Sequence, residues 1–313
     1  MKFRSTFSLS AMALCLVFLS SMAELGAATL NWTVDSTQAV TYSADSTVWV
    51  TCHVTVTYST LSSSPSYRAG RRYCIIISAA SVSPTANPAL NYTAWAPNYA
   101  VNQLFIGPNP STLTQVLSGN FPSGTANGAV QNFSFDIALA NSTFPNPGAY
   151  TISLTEKLWP SCNSFPTLGG TSSTKTQLIA VTVPNSYDVS VVPTGGSFSA
   201  TTTSQPLDFG TLTAGATLGA DILVRSNVSY SLALTSPNMG ALSNGVDTVP
   251  YILKQGVNTK SLTTGSTTLV SGALKNNTTV PAKYAITATI GTLGADLSSG
   301  TYTDNLTVTL TAP

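Results

Sequence analysis

The sequence predicts an all-β protein with two Ig-like antiparallel β-sandwich domains, the C-terminal one lacking its last strand. Thr, Val, Tyr and Ile are common and helix formers are scarce, which favours strands. Apolar residues recur at every second position in short runs that end at Gly, Pro or Asn, as in antiparallel sandwiches. At 313 residues, the chain is long enough for two domains of ordinary size.

Charge is unusually scarce in this chain. Asp, Glu, Lys and Arg make up 7% of the residues, against roughly 25% in an ordinary soluble domain, whereas 88 residues are Ser or Thr. The hydrophobic share of 43% is too high and too regularly placed for a disordered chain. A formal net charge of +1 provides no basic surface, so we predict no nucleic-acid partner.

Residues 1–23 are predicted to be a secretory signal peptide. Lys2 and Arg4 precede an apolar stretch that is too short to span a membrane comfortably. Small residues around Ala23 favour cleavage after it, and cleavage after residues 26–28 is the alternative. We therefore expect the mature chain to be exported through the periplasm, either to the cell surface or into the medium.

Strand patterns recur along both predicted domains. The first domain, residues 29–184, contains strand-like runs at 46–58, 73–80, 133–139, 150–158 and 177–183. A Pro-Asn pair at Pro184–Ser186 interrupts the pattern, and we place the domain boundary there. The second domain, residues 186–313, contains runs at 187–192, 220–224, 228–235, 249–253, 284–290 and 302–310.

One motif, G-x-Y-T-x-x-L-T, occurs in both domains, at Gly148–Thr155 and at Gly300–Thr307. In Ig-like sandwiches, a Tyr near the start of the penultimate strand commonly anchors a corner. The first copy is followed by a further strand, Gln177–Val183, whereas the printed sequence stops soon after the second copy.

The second copy of the motif has no following strand that corresponds to Gln177–Val183, and this predicts an open edge in the second sandwich. Unpaired backbone groups along an edge favour strand addition from another chain, as in chaperone–pilin complexes. The alternative is that the sandwich closes with its own N-terminal strand. The residues predicted to line the edge of this donor-strand groove are Tyr302, Leu306, Val308 and Leu310.

Five segments of the last third carry a family resemblance. They are 207–212 (LDFGTL), 227–234 (NVSYSLAL), 238–242 (NMGAL), 249–253 (VPYIL) and 295–310, in which G-T-Y-T-D precedes alternating Thr and Val. Over residues 207–313 the chain resembles the spore coat protein U / archaic chaperone–usher pilin family. Two features depart from that family: this half has no cysteine pair, and the final residues are Ala-Pro instead of an aromatic.

The resemblance implies a non-enzymatic extracellular fibre subunit. In that family, a periplasmic chaperone holds the incomplete sandwich, and an outer-membrane usher exchanges the chaperone for a strand of the neighbouring pilin subunit. The additional first domain implies a pilus tip adhesin, of use in cell adhesion and biofilm formation. The alternatives are a fibre-body or spore-coat-type structural subunit, in which Leu30–Asp35 would be the donor strand, or a secreted carbohydrate-binding module.

Apolar, Pro-containing loops of the first domain are the predicted contacts with a hydrophobic surface or a glycan. These loops cover residues 87–113, 119–125 and 158–168. The alternative for each aromatic residue in them is burial in the core. The surface-binding candidates are Trp95, Tyr99, Phe105, Phe121, Trp159 and Phe165.

Three cysteines remain after removal of the signal peptide, and an export compartment favours a disulfide. The candidates are Cys52, Cys74 and Cys162, so one thiol is left over or pairs elsewhere. His53 is the only histidine and no G-x-S-x-G motif occurs, which leaves little basis for nucleophilic catalysis. We predict no enzymatic activity, no metal and no cofactor.

Overall fold

The computed structural model describes residues 29–59, 70–86, 88–96, 103–141, 143–163, 165, 167–276 and 280–312. This part of the chain contains 18 strands and one 3₁₀ turn, which confirms the predicted all-β class. The predicted signal peptide lies outside the described residues, so its cleavage site stays a prediction.

The strands of the first half form two sheets, which we call the first sandwich. They are β1 (Thr29–Val34), β2 (Gln38–Thr41), β3 (Val48–Ser59), β4 (Arg72–Ser83), β5 (Tyr92–Trp95), β6 (Leu117–Asn120), β7 (Val130–Leu139), β8 (Gly148–Trp159) and β9 (Ser173–Val183), with a 3₁₀ turn at Leu113–Gln115. One sheet has the order β1-β3-β7-β5 and the other β2-β9-β8-β4-β6. Their alternating apolar residues face each other in one core.

The strands of the second half form the second sandwich. They are β10 (Tyr187–Pro193), β11 (Thr217–Ser226), β12 (Tyr230–Thr235), β13 (Ala241–Ser243), β14 (Thr248–Gln255), β15 (Asn258–Lys260), β16 (Ser266–Ala273), β17 (Ala282–Ile290) and β18 (Thr307–Thr311). One sheet has the order β10-β11-β17-β14-β13, with β15 beside β14, and the other is β16-β12-β18. A separate apolar cluster lies between these sheets.

The hydrophobic cores between the sheets thus divide into one before Pro184 and one after Ser186. This division favours the predicted domain boundary, although independent folding of each half stays a prediction. At the junction, the Asn227 amide donates to the carbonyl oxygens of Pro145 (3.1 Å) and Pro184 (3.0 Å) and accepts from the Ser186 N–H (2.8 Å).

The two sandwiches share one strand order. The sheet β1-β3-β7-β5 corresponds to β10-β11-β17-β14, and β8-β4-β6 corresponds to β18-β12-β16. The strands β9 and β2, which extend the first sandwich beyond β8, have no counterpart in the described part of the second. The second sandwich therefore has the same central arrangement without a strand beyond β18, and β13 and β15 extend its other sheet instead.

The repeated motif takes the same local conformation in both halves. Gly148 and Gly300 have φ angles of +150° and +148°, a region that side-chain-bearing residues rarely adopt. The Tyr150 hydroxyl donates to the Asn146 carbonyl oxygen at 2.9 Å, and the Tyr302 hydroxyl donates to that of Ser298 at 2.8 Å. Each Tyr thus bonds to the backbone four residues upstream, as in the tyrosine corner that the sequence predicts.

The last strand differs from its predicted bounds. The sequence predicts a strand over Tyr302–Leu310, but β18 begins only at Thr307. Residues before it pair at a single bridge, between Thr303 and Ser243. The equivalent strand β8 begins at its Gly, because β9 pairs with it from Gly148 onward, whereas β4 pairs with it only from Thr151.

Candidate functional site

The open edge of β18 is the main candidate site. This strand pairs with β12, from Thr235↔Thr307 to Ser231↔Thr311, and no other described strand pairs with it. In an antiparallel strand, the N–H and C=O groups of every second residue point to the same side, so a strand with one neighbour leaves half of these groups pointing away from it. The side of β18 that faces away from β12 therefore presents hydrogen-bonding groups in the pattern that an added strand requires.

The inward side chains of β18 are less covered than those of β8. Alignment of the repeated motif matches Leu306, Val308 and Leu310 with Leu154, Glu156 and Leu158. The three residues of β8 are 0–3% exposed, whereas those beside and within β18 are only partly buried, although they pack on the core. A strip of the second core is therefore incompletely covered along this strand.

In the first sandwich, β9 supplies the missing cover. It lies antiparallel to β8, with Leu178↔Ser153 and Thr182↔Ala149 among its pairs. Its inward side chains alternate along the strand and are 0–3% exposed: Gln177, Ile179, Val181 and Val183. This strand defines the shape and spacing of the element that β18 lacks.

Further apolar side chains of the second sandwich are also only partly buried. Val189 and Val191 lie on β10, the edge strand of the larger sheet, and Leu207, Phe209 and Leu212 lie in an extended segment. Residues 203–212 belong to no strand and make no backbone–backbone hydrogen bond within the described residues. Over residues 205–210, partly buried and exposed residues alternate, so this part has the period of a strand without its pairing, and Leu212 lies outside the alternation.

Asp304 fixes the approach to β18. Its carboxylate accepts hydrogen bonds from the Ser236 hydroxyl and the Tyr251 hydroxyl, both at 2.6 Å, and from the Asn305 N–H at 2.9 Å. Burial, reinforced by the bond to this carboxylate, raises the pKa of Tyr251. Asp304 thus anchors the chain before the open edge, while β18 itself carries only Thr, Val and Leu.

The predicted surface-binding residues of the first sandwich do not converge on one patch. Phe121 is 3% exposed and packs against Tyr58 and Tyr73, with ring centroids 5.4 and 5.8 Å away, so its prediction as a surface contact is wrong. Its ring fills the core beside the end of β6. Tyr99 lies outside the described residues.

Trp159 and Phe165 lie together on the outer face of the five-stranded sheet. Here the alternation of β4 places Tyr73 and Ile75 in the core and Cys74 on the opposite face. We call the residues on that face the outer apolar cluster: Cys74, Ile76, Val116 and Cys162, flanked by the partly buried Leu113, Trp159, Phe165 and Leu168.

Phe105 and Trp95 lie elsewhere. Phe105 is 38% exposed, in a segment that bridges Leu104 to Ala94 in one sheet and Ile106 to Ile77 in the other. Trp95 lies on the outer face of the four-stranded sheet, where its ring meets that of Trp49. The sequence analysis did not single out Trp49, although its place between Val48 and Val50 in an alternating run predicts an outward side chain.

A disulfide joins Cys74 and Cys162, which confirms these two of the three candidates. The bond ties β4 to the loop after β8 across a sequence separation of 88 residues. Cys52 is left over, and it points into the first core with no exposure. Burial raises the pKa of its thiol, so the nucleophilic thiolate is disfavoured.

We expect the double substitution Cys74→Ala with Cys162→Ala to lower the free energy of unfolding of the first sandwich by about 2–4 kcal/mol. The reason is that an unfolded chain without this link regains the freedom of a long loop. Denaturant titration of the variant against the oxidised protein measures the loss. Reduction of a Cys52→Ala protein should produce the same loss, and an unchanged stability in both cases would contradict a stabilising bond.

A buried carboxyl lies in the first core. Glu156 and Gln177 point inward from β8 and β9, both with no exposure, and their side-chain oxygen and nitrogen atoms have no hydrogen-bond partner in the described part of the chain. Burial, with a smaller contribution from the Asp35 carboxylate, raises the pKa of Glu156 to about 8. This residue is therefore mostly neutral at pH 7.

The described residues contain neither a membrane-spanning helix nor a cluster of metal ligands. No helix there is long and apolar enough to cross a membrane. No three His, Cys, Asp or Glu side chains in the same part of the chain are grouped so that they could hold a metal ion.

No protein-family model and no curated protein matches the sequence. Among solved structures, the chain is similar to the CsuC–CsuE chaperone–tip subunit complex of archaic chaperone–usher Csu pili from Acinetobacter baumannii, with 13% identity, coverage of 90% of this chain and 99% of that chain, and a TM-score of 0.42. It is also similar to the CFA/I adhesin CfaE of enterotoxigenic E. coli, with 11% identity, coverage of 89% of this chain and 92% of that chain, and a TM-score of 0.33. A third similar structure is AggA, the major subunit of E. coli aggregative adherence fimbriae type I, with 19% identity, coverage of 50% of this chain and 95% of that chain, and a TM-score of 0.28. With TM-scores below 0.5, these similarities carry no argument for function.

Proposed function

We propose that the chain is a subunit of an extracellular fibre whose second sandwich is completed by a strand from another chain. The observation that carries this proposal is the shared strand order, in which β18 occupies the place of β8 but lacks the neighbour β9. The partly covered Leu306, Val308 and Leu310 give an incoming strand apolar surface to bury. The edge supplies the backbone hydrogen bonds.

Assembly of such a subunit requires protection of the edge before the neighbour arrives. A periplasmic chaperone fills this role, and an outer-membrane usher exchanges it for the donor strand of the next pilin subunit. The absence of charged residues from β18 supports the proposal, because charged edge residues normally prevent strand addition.

We further propose that the subunit stands at the fibre tip, with the first sandwich as its adhesin domain. The segment that a body subunit would use as a donor, Leu30–Asp35, largely coincides with β1. That strand pairs with β3 from Thr29↔Ser59 to Val34↔Val54 and thereby completes its own sheet. The chain therefore accepts a strand without donating this one.

The outer apolar cluster and Phe105 are the proposed contacts with a hydrophobic surface. Trp159, Phe165 and Leu168 are partly buried around the disulfide, which holds their loop on the sheet. An apolar area that a covalent bond orders loses little conformational entropy when it meets a surface.

The attachment proposal predicts that the separate changes Phe105→Ser and Trp159→Ser each reduce adherence to polystyrene at least about tenfold, a loss of about 1.4 kcal/mol per contact. Fibre assembly should persist, because none of these residues lies in the second sandwich. Adherence of cells or purified fibres and the fibre content of the same samples are the two measurements.

Val257→Ser is the matched control, since Val257 is 91% exposed on the second sandwich, away from the proposed contacts. Normal adherence of both variants would refute the attachment residues. Loss of fibres in the same variants would instead show that these residues serve folding.

A further inference from the structure

The linker between the two sandwiches is short and is hydrogen-bonded at both of its ends. Three residues, Pro184–Ser186, separate β9 from β10. The side-chain amide of Asn227 donates to the Pro184 carbonyl oxygen at 3.0 Å and accepts from the Ser186 N–H at 2.8 Å. The Asn227 backbone N–H donates to the Ser186 carbonyl oxygen at 3.0 Å. Rotation about the backbone dihedrals of the linker would therefore break hydrogen bonds to one residue of the second sandwich.

The Asn227 side chain also reaches the first sandwich, where its amide donates to the Pro145 carbonyl oxygen at 3.1 Å. The loop that carries Pro145 is itself held in place. The Tyr42 hydroxyl donates to the carbonyl oxygen two residues before Pro145 at 2.5 Å, and the Tyr150 hydroxyl donates to the one directly after it at 2.9 Å. Because Asn227 is 3% exposed, water cannot readily replace these bonds, and breaking them leaves buried groups unpaired.

An apolar side chain lies beside Asn227. Phe144 is 2% exposed, yet it belongs to neither of the two cores between the sheets. It lines a small cleft at the junction together with Asn227 and Pro184. The ring is therefore buried at the junction, and separation of the two sandwiches would expose it to water.

A charged pair also joins the two sandwiches. Nη2 of Arg225 lies 3.0 Å from Oδ1 of Asp45, in the loop between β2 and β3, and 3.4 Å from Oδ2 of Asp188 on β10. The Arg225 guanidinium lies 4.1 Å from the centre of the Phe198 ring, which holds it on the second sandwich. The Asp45 side chain is 67% exposed, so this pair alone contributes little. It supports the bonds of Asn227 without replacing them.

From these contacts we infer that Asn227, supported by Arg225, locks the two sandwiches into one rigid body in solution. Domains with a small interface usually move relative to each other. Here the side chain that bonds to the first sandwich also bonds to both ends of the linker, so bending the linker breaks several buried hydrogen bonds together. The lock fixes the position of the first sandwich relative to the open edge of β18. Nothing in it depends on strand addition at that edge, so it stands apart from the fibre proposal.

Residual dipolar couplings of the full chain in a weakly aligning medium test the lock, and the donor-fused chain described in the Discussion is used if the unfused chain aggregates. We expect the backbone amides of both sandwiches to fit one alignment tensor. In the double variant Asn227→Ala with Arg225→Ala, each sandwich should need its own tensor. The rotational correlation time of each, from amide nitrogen relaxation, should fall by up to about twofold, because each then tumbles as a smaller body.

Lys260→Ala is the matched control, since it removes a cation whose side chain donates to the Thr268 and Leu269 carbonyl oxygens within the second sandwich. It should keep one tensor. Asn227→Asp keeps the acceptor for the Ser186 N–H but loses both amide donors, so it should need two tensors. Two tensors in the unaltered chain, or one tensor in both Asn227 variants, would overturn the inference. The result for the unaltered chain decides the matter even if a variant fails to fold.

Discussion

A donor strand fused after residue 313 is expected to convert the isolated chain into a stable, soluble monomer. The donor is the chain's own β9 sequence, Lys175–Val183, with Gln177→Val in the fused copy, joined by a flexible linker. It offers four alternating apolar side chains to the edge where Leu306, Val308 and Leu310 are partly uncovered. A net gain of even 3 kcal/mol would raise the Tm of the second sandwich by roughly 10–20 °C.

Calorimetry and size-exclusion chromatography of the fused and unfused chains measure this gain. The matched control carries Ile179→Asn and Val181→Asn in the fused copy alone, which keeps its length and backbone hydrogen bonds but removes two of the apolar contacts. It should behave like the unfused chain. A fully stable, monomeric unfused chain whose Tm the donor leaves unchanged would refute an open edge.

Glu156→Gln is expected to remove most of the pH dependence of the stability of the first sandwich between pH 4.5 and pH 8. Because burial raises the pKa of Glu156 to about 8, the folded state holds its proton more tightly than the unfolded state does. The stability is then greatest below the unfolded pKa and falls by up to about 1.4 kcal/mol per pH unit until the pH exceeds 8. At pH 7 the accumulated loss is on the order of 3 kcal/mol.

Urea titrations of both proteins at a series of pH values measure the slope, and the Gln side chain cannot ionise within that range. Asp296→Asn, which removes an exposed carboxyl of the second sandwich, should keep the slope of the unaltered chain. If the Glu156→Gln variant kept the same change of stability with pH as the unaltered chain, the Glu156 carboxyl would ionise in the folded state without loss of stability, which contradicts the prediction.

Much of the fold is predictable from the sequence because its strands alternate clearly. The long runs of β3, β4, β8 and β9 are recognisable from β-branched and apolar residues that face one core. Short edge strands such as β2, β6 and β13 are missed, because three or four residues with mixed burial show no clear period. Their pairing depends on neighbours that are distant in sequence.

The candidate sites are less predictable. The G-x-Y-T repeat indicates the open edge, because it shows which strand of each half is equivalent. An aromatic residue in a Pro-containing loop, by contrast, can face either way: Phe121 turns into the core while Phe105 is exposed. The Trp49–Trp95 pair joins two strands more than 30 residues apart, and only the register of β3, β7 and β5 brings the rings together.

Amide hydrogen exchange along β18 tests the open edge most directly. In a second sandwich that lacks a neighbour at this edge, the β18 amides that face away from β12 exchange rapidly, and those bonded to β12 exchange slowly. Addition of the fused donor strand should slow the first set at least about tenfold and leave the second set nearly unchanged. Equal protection of both sets in the unfused chain would contradict the open edge and the strand addition that depends on it.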